Sequence, residues 1–289
     1  MSQKNNIKIK KVLVVGLGLI GASLCRDLKK NSNYEKIYGH DTDAVAMEYA
    51  LNNNYVHETR KDLEEGIKDS DLIVLCIPVH AIRKVLNVVK YFFNGDKVIT
   101  ETLSSKSSIF DYLTDNKLLD TKNFILSHPM AGTENFGIRN SDENLFQEAN
   151  TFICPLKFSD PDKCNEVKAL WKSVGSNTNN IIIENHDLLL TYLSHGPHAI
   201  SFALSNITPL FEDLPWVNTK GSLAEMIRVA KSNPEAWANI FQDNQDNLIN
   251  YINIYLSELE LLKSILESKK QEDLLSYLKK SKPKNTKFS

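Results

Sequence analysis

Apolar and polar positions along the chain change rhythm once, near residue 185. Before that point short apolar runs, KVLVVG, KIYGHD, DLIVLCIP, DKVITET and NFILSH, alternate with longer stretches of helical periodicity. Each run is bounded by Gly, Asp, Asn or Pro. Runs of this kind predict strands buried on both faces, and their alternation with helices predicts βαβ units around a parallel sheet. ANTFICPL and NNIIIEN extend the strand series to about Glu184.

After His186 no β-like run follows, and after Gly221 there is no glycine. SNPEAW starts a helix, because Asn233 can cap and Pro234 suits the first helical position. From there to Pro283 nothing in the sequence breaks a helix. Within it Leu248, Ile252, Tyr255, Leu259, Leu262 and Leu266 form a heptad-like seam. Such a seam packs either on its own domain or on a second subunit. The boundary expected from this change of rhythm divides residues 1–185, an α/β dinucleotide-binding domain, from residues 186–289, an all-helical domain.

Composition narrows the class. The chain has 289 residues, 42% of them hydrophobic and 24% charged, as in a folded water-soluble protein. A formal charge of -2 gives no basic footprint for nucleic acid and no polybasic membrane anchor. The longest apolar stretch, residues 12–24, is broken by glycine and shorter than the ~20 residues of a membrane span. Cys25, Cys76, Cys154 and Cys164 form no C-x-x-C pair and read as reduced thiols. A cytoplasmic location is the expectation.

Candidate chemistry begins in VVGLGLIGASL. Gly16, Gly18 and Gly21 stand in a G-x-G-x-x-G pattern between a strand and a helix. The first glycine allows a tight turn, the second admits a pyrophosphate, and the third lets helix and strand approach closely. Asp41 follows at the end of the next strand, where a carboxylate accepts from both ribose hydroxyls and repels a 2′-phosphate. This favours NAD over NADP. With Leu19 and Ile20 in the loop, and Ile77 and Pro78 closing DLIVLCIP, these residues make up the expected cofactor site.

His128, in SHPMAGTE, follows a predicted strand at its carboxyl end, where open α/β sheets place ligands. With a resting pKa near neutrality it could accept a hydroxyl proton as hydride leaves the same carbon. A satisfied core histidine is the plain alternative. His195 and His198 lie on one helical face in LSHGPHAISFAL; a metal would need further ligands that no pattern supplies, so a polar pair lining a cleft is the expectation. The chain has five arginines (Arg26, Arg60, Arg83, Arg139 and Arg228), and Arg228 is alone in the helical half. It would either pair with Glu225 one turn back or hold a substrate carboxylate bidentately, which lysine cannot do.

Taken together, SHPMAGTE, LSHGPHAISFAL and IRVAKSNPEAW after Gly221 resemble the prephenate/arogenate dehydrogenase family of tyrosine biosynthesis, over nearly the whole chain. The resemblance implies a Rossmann-type domain followed by a helical substrate-binding and dimerisation domain. It implies hydride transfer from ring C4 of prephenate or arogenate to NAD(P), with loss of the ring carboxylate as CO2, in a homodimer. By the same resemblance His128 assists deprotonation of the C4 hydroxyl and Ser104 orients it. His198, Arg228, Glu134, Gly221 and Trp237 are the matching substrate-site positions, and His195, paired with His198 on its helical face, is expected in the same site. The chain departs from the family pattern at Leu103, where glycine is usual, which leaves Ser105 beside Ser104 as a candidate, and at Gly196, Ala224 and Met226. Another Rossmann-plus-helical enzyme acting on a 3-hydroxy acid, and a non-catalytic NAD-binding dimer, are the alternatives.

Overall fold

The computed structural model of the chain describes residues 9–133, 135–208 and 221–281. Among these, eight strands form one sheet: β1 (Lys11–Val15), β2 (Lys36–His40), β3 (Glu58–Thr59), β4 (Leu72–Leu75), β5 (Val98–Glu101), β6 (Phe124–Pro129), β7 (Asn150–Cys154) and β8 (Asn177–Asn180). Helices α1 (Leu19–Lys30), α2 (Ala44–Asn52), α3 (Leu63–Lys68), α4 (Val79–Val89), α5 (Ser107–Asp115) and α6 (Pro161–Ser173) connect them. The spatial order is β3-β2-β1-β4-β5-β6-β7-β8, so the chain reverses direction across the sheet between β1 and β4. The crevice at the carboxyl ends beside such a reversal is where open α/β sheets hold ligands.

Side-chain alternation explains how the sheet is covered. Val12 and Val14 join a buried cluster with Leu24 and Leu28 of α1 and Leu170 and Trp171 of α6. Leu13 and Val15 join the opposite cluster with Ile82 and Leu86 of α4 and Ile109 and Leu113 of α5. Both faces are buried, which is why the strand sequences are apolar throughout.

Two expectations about the sheet are corrected. It is parallel from β3 through β6, but β7 runs antiparallel to β6, and β8 follows β7. The described residues between β6 and β7 carry the short turn Ile138–Asn140 and no crossover helix, and a connection of that kind returns the chain in the opposite direction. The strand expected over NNIIIEN begins earlier, in polar residues 177–180. Helix α7 (Ile183–Leu190) takes up the end of that run, burying Ile183 while Ile182 stays 60% exposed.

Five more helices follow: α8 (Gly196–Ile207), α9 (Ser222–Ile227), α10 (Pro234–Asp243), α11 (Gln245–Glu267) and α12 (Gln271–Lys280). The Asn233 side chain accepts from the Ala236 N–H and caps α10, with Pro234 in its first turn. The helix expected to run unbroken towards Pro283 is three helices. α10 ends at Asn244, whose side chain turns inward and is buried, and Lys269, at φ +56°, separates α11 from α12. The chain divides into two compact units, residues 1–244 and residues 245–289. No helix among the described residues is long and apolar enough to cross a membrane.

Candidate active site

Beyond β1 the backbone turns at Gly16 with φ +92°, its N–H bonded to the His40 carbonyl at 2.8 Å. A Cβ on Gly16 would strike the Cys76 carbonyl oxygen, and one on Gly21 would strike that of Gly16. Gly18 has open space on its Cβ side and begins α1 without a side-chain cap. Uncapped N–H groups at a helix start, beside a glycine facing open space, fit a pyrophosphate. Asp41 Oδ2 accepts from the Leu17 N–H at 2.6 Å and Oδ1 from the Asp43 N–H at 2.8 Å. The carboxylate is thereby fixed at the rim of a cavity of about 370 Å³. The loop, helix start and Asp41 together fit a dinucleotide.

A larger cavity, about 820 Å³, opens from Gly18, Leu19 and Ile20 across the ends of β4, β5 and β6 to α8 and α10. Ile77, Pro78, Ser104, His128, His195, His198, Arg228 and Trp237 all line it. Gly16 and Gly21 lie beneath its floor as packing positions. Gly221 begins α9 and is not in the lining. Glu134 lies outside the described residues.

The turn after β5 is held by a buried ion pair. Lys106 Nζ donates to Glu101 Oε1 and to the Leu103 carbonyl, both at 2.7 Å, and to the Ser127 carbonyl at 2.9 Å. Glu101 also accepts from the Leu103 and Ser127 N–H groups. Burial pushes its carboxyl up, against the pull of Lys106. Leu103, standing where the resembling family has glycine, is buried in the cluster against α4 and α5. Ser105 also lines the cavity, and its hydroxyl donates to Asp243. Ser104, half-buried in the lining, makes no side-chain hydrogen bond among the described residues.

His128 ends a chain of three groups that sequence reasoning did not find. Asp187 accepts from the Lys106 N–H at 2.9 Å and from the Ser107 N–H at 3.0 Å and hydroxyl at 2.8 Å. Burial would raise its pKa, but His186 and these donors hold it below the usual carboxylate range. An ionised Asp187 accepts a hydrogen bond from His186 Nδ1–H, 2.7 Å away. Neutral His186 then has only a lone pair at Nε2, so His128 Nδ1, at 3.0 Å, must donate to it. This assigns the tautomer of His128 and leaves Nε2 bare. Burial, with His186 and Lys106 nearby, drives the His128 pKa well below an ordinary histidine's, so the neutrality expected of it is corrected downward.

His195 has the opposite polarity. Asn244 Nδ2 lies 2.9 Å from the Asp187 carbonyl, which can only accept, and 2.9 Å from His195 Nδ1. The same nitrogen also lies 2.9 Å from the Thr191 hydroxyl, and because an amide nitrogen cannot accept, Nδ1 faces it with a lone pair and His195 carries its proton on Nε2. Burial lowers its pKa to about 4. His198 Nδ1 donates to the Ser194 carbonyl at 2.9 Å, and its ring stacks on Trp237 with centroids 3.7 Å apart. Burial lowers its pKa, and Arg228 adds to the effect. These histidines are presented by a π-turn, Thr191–His195, in which the Gly196 N–H reaches back to the Thr191 carbonyl. Pro197 has no N–H to continue the regular ladder, and the wider turn results. Arg228 has no ion pair among the described residues, so the pairing with Glu225 is absent.

A doubly wound sheet whose glycine loop fits a dinucleotide, opening on a cavity lined by His128 and Arg228, defines an oxidoreductase of the nucleotide-binding class. The sequence matches the prephenate dehydrogenase nucleotide-binding domain over residues 24–180 and the prephenate dehydrogenase dimerization domain over residues 183–280. The chain belongs to the prephenate dehydrogenase family. It is 28% identical over 276 residues to the cyclohexadienyl dehydrogenase of Zymomonas mobilis, covering 94% of each chain. The structure of prephenate dehydrogenase from A. aeolicus in complex with hydroxyphenyl propionate and NAD+ is similar at TM-score 0.83 and 29% identity, covering 95% of this chain and 96% of that one. Synechocystis arogenate dehydrogenase is similar at TM-score 0.78 and 26% identity, covering 94% and 97%.

Proposed function

We propose that this dehydrogenase oxidises and decarboxylates prephenate to 4-hydroxyphenylpyruvate, using NAD and working as a homodimer. The observation that carries the reading is the hydrogen-bonded line Asp187–His186–His128, which ends in an unprotonated Nε2 at the cavity. Bound NAD supplies the hydride acceptor. His128 Nε2 takes the proton of the C4 hydroxyl as hydride leaves that carbon. When the ring carboxylate departs as CO2, the electron pair of its C–C bond passes through the ring to the C4 oxygen, which takes the proton back as the ring becomes aromatic. The positive charge gained by His128 is stabilised through His186 by Asp187, which does not itself need to be protonated. Ser104 and the Nε2–H of His195 can donate to the oxygen at C4 while it becomes a carbonyl. Arg228 holds a substrate carboxylate through its planar fork.

Charge supports an anionic substrate: the described cavity lining contains the cations Arg228 and Lys231, which suit the two carboxylates of prephenate. Asp41 supports NAD over NADP, because a 2′-phosphate would meet an unpaired carboxylate. The matched dimerization domain and the exposed apolar residues of α11 support the homodimer.

The test is NADH formation by the purified protein with NAD+ and either prephenate or arogenate. The expected result is a higher kcat/KM for prephenate. Equal or faster turnover of arogenate would move the assignment to that substrate, and no NADH with either would leave a non-catalytic NAD-binding protein.

A further inference from the structure

Three of the five arginines pair with carboxylates: Arg26 with Glu143, Arg60 with Glu58 and Asp69, and Arg83 with Asp115. Arg139 does not pair among the described residues, and neither does Arg228. Arg228 lines the larger cavity and Arg139 lines the smaller one, beside Asp41. An arginine at a cavity wall, with no carboxylate partner among the described residues, is placed to meet a ligand.

Arg139 is also held in position. Its turn is fastened to α1, where the Asp142 N–H donates to Ser23 Oγ at 2.9 Å and Arg26 donates to the Ser141 carbonyl. Ile138, next to it, packs on the hydrophobic core. The guanidinium lies 5.3 Å from the ring centroid of Tyr49 on α2, and Tyr49 meets Tyr55 edge-on at 6.0 Å. The wall that results presents a planar cation and an aromatic ring, with exposed Val45 and Phe136 beside them. Asp41, fixed by two backbone N–H groups, lines the same cavity. Planar cation, aromatic and apolar surface suit a purine base; the fixed carboxylate suits ribose hydroxyls.

We propose that Arg139 is an adenine-binding residue, its guanidinium stacking on the base while Asp41 holds the ribose. The inference rests on the NAD assignment above. It makes the β6–β7 connection part of the cofactor site at both ends, since Phe136 and Gly137 line both cavities. The nicotinamide-side base and the adenine-side arginine then lie on one continuous stretch of chain, from His128 to Arg139.

Calorimetry on the full chain tests this, with NAD+, NADP+, ADP-ribose and nicotinamide mononucleotide as ligands and with Arg139→Ala and Arg139→Lys as variants. For Arg139→Ala the Kd values of NAD+ and ADP-ribose rise together, about 5- to 30-fold, and that of nicotinamide mononucleotide does not change. Arg139→Lys loses part of the affinity, because the charge remains and the plane does not. Unchanged ADP-ribose affinity in Arg139→Ala would overturn the proposal, as would a loss confined to NADP+, which would make Arg139 a phosphate contact. Wild-type protein that binds neither NAD+ nor ADP-ribose would remove the NAD assignment as well.

Discussion

His128 and His195 are both buried and neutral, yet one ends in a lone pair and the other in an N–H. Their opposite tautomers follow from single hydrogen bonds to His186 and Asn244, so a substitution one or two residues away from the ring should read out in catalysis. His128→Asn removes the base and should lower kcat by about 10²- to 10⁴-fold with KM little changed. In the wild type, kcat/KM should hold to well below pH 6.5 and then fall as His128 takes a proton, since burial has lowered its pKa. That acid limb should disappear in His128→Asn. Asp187→Asn keeps the size of the side chain but frees the His186 proton, so kcat should fall while NAD+ binding stays. Stopped kinetics across pH 4.5–8 separate the cases; an Asp187→Asn enzyme with normal kcat would show that the line to His128 is only structural. The motif SHPMAGTE made His128 legible. Nothing in linear order joins it to His186, 58 residues on. The adjacent His-Asp pair was the available signal, and a signal of that kind acquires meaning only when two elements meet.

Among elements, the strands and the glycine loop were legible because burial on both faces and a tight turn each restrict residue type strongly. The breaks in the long helical segment were not legible. Neither Gly nor Pro marks them, and Asn244 ends α10 by using its amide elsewhere, a choice that depends on Asp187 and His195. The seam is also broader than its heptad spacing implies. On α11, Leu248 is buried, but Leu259 and Leu266 are 45% and 54% exposed, and Ile249, Ile254, Leu256 and Leu261 off the seam are exposed too. A helix apolar on several sides and exposed in one chain supports the proposed homodimer. Leu259→Glu with Leu262→Lys should therefore shift the protein from dimer to monomer or to insoluble material, as read by sedimentation velocity at micromolar concentration. An unchanged dimer would direct the interface to another face.

Across the whole molecule, acid and base act on stability in opposite directions. His128, His186 and His195 have lowered pKa values, so the unfolded chain takes up protons below pH 6.5 before the native one does, and stability is lost as pH falls. Asp27 opposes this. Burial raises its pKa to about 7, and its Oδ2 is buried without a partner. A raised carboxyl is harmless while protonated and costs stability as pH rises from about 4 to 7. Asp27→Asn should accordingly stabilise the protein at pH 8 by about 1–2 kcal/mol, allowing for solvent on its open side. The gain should shrink to nothing near pH 4. Urea unfolding at pH 4, 6 and 8 measures it, and a constant difference at all three would rule out ionisation as the cause.

Helix α5 carries at its start two aspartates from beyond the sheet. Asp187 receives the Lys106 and Ser107 N–H groups, and Asp243 receives that of Ser108. The same Asp187 sets the proton of His186 and thus of His128. The proton position on the His128 ring is thus set from residues that lie after the whole sheet in sequence, whereas the glycine loop and Asp41 lie within its first two strand-and-helix units.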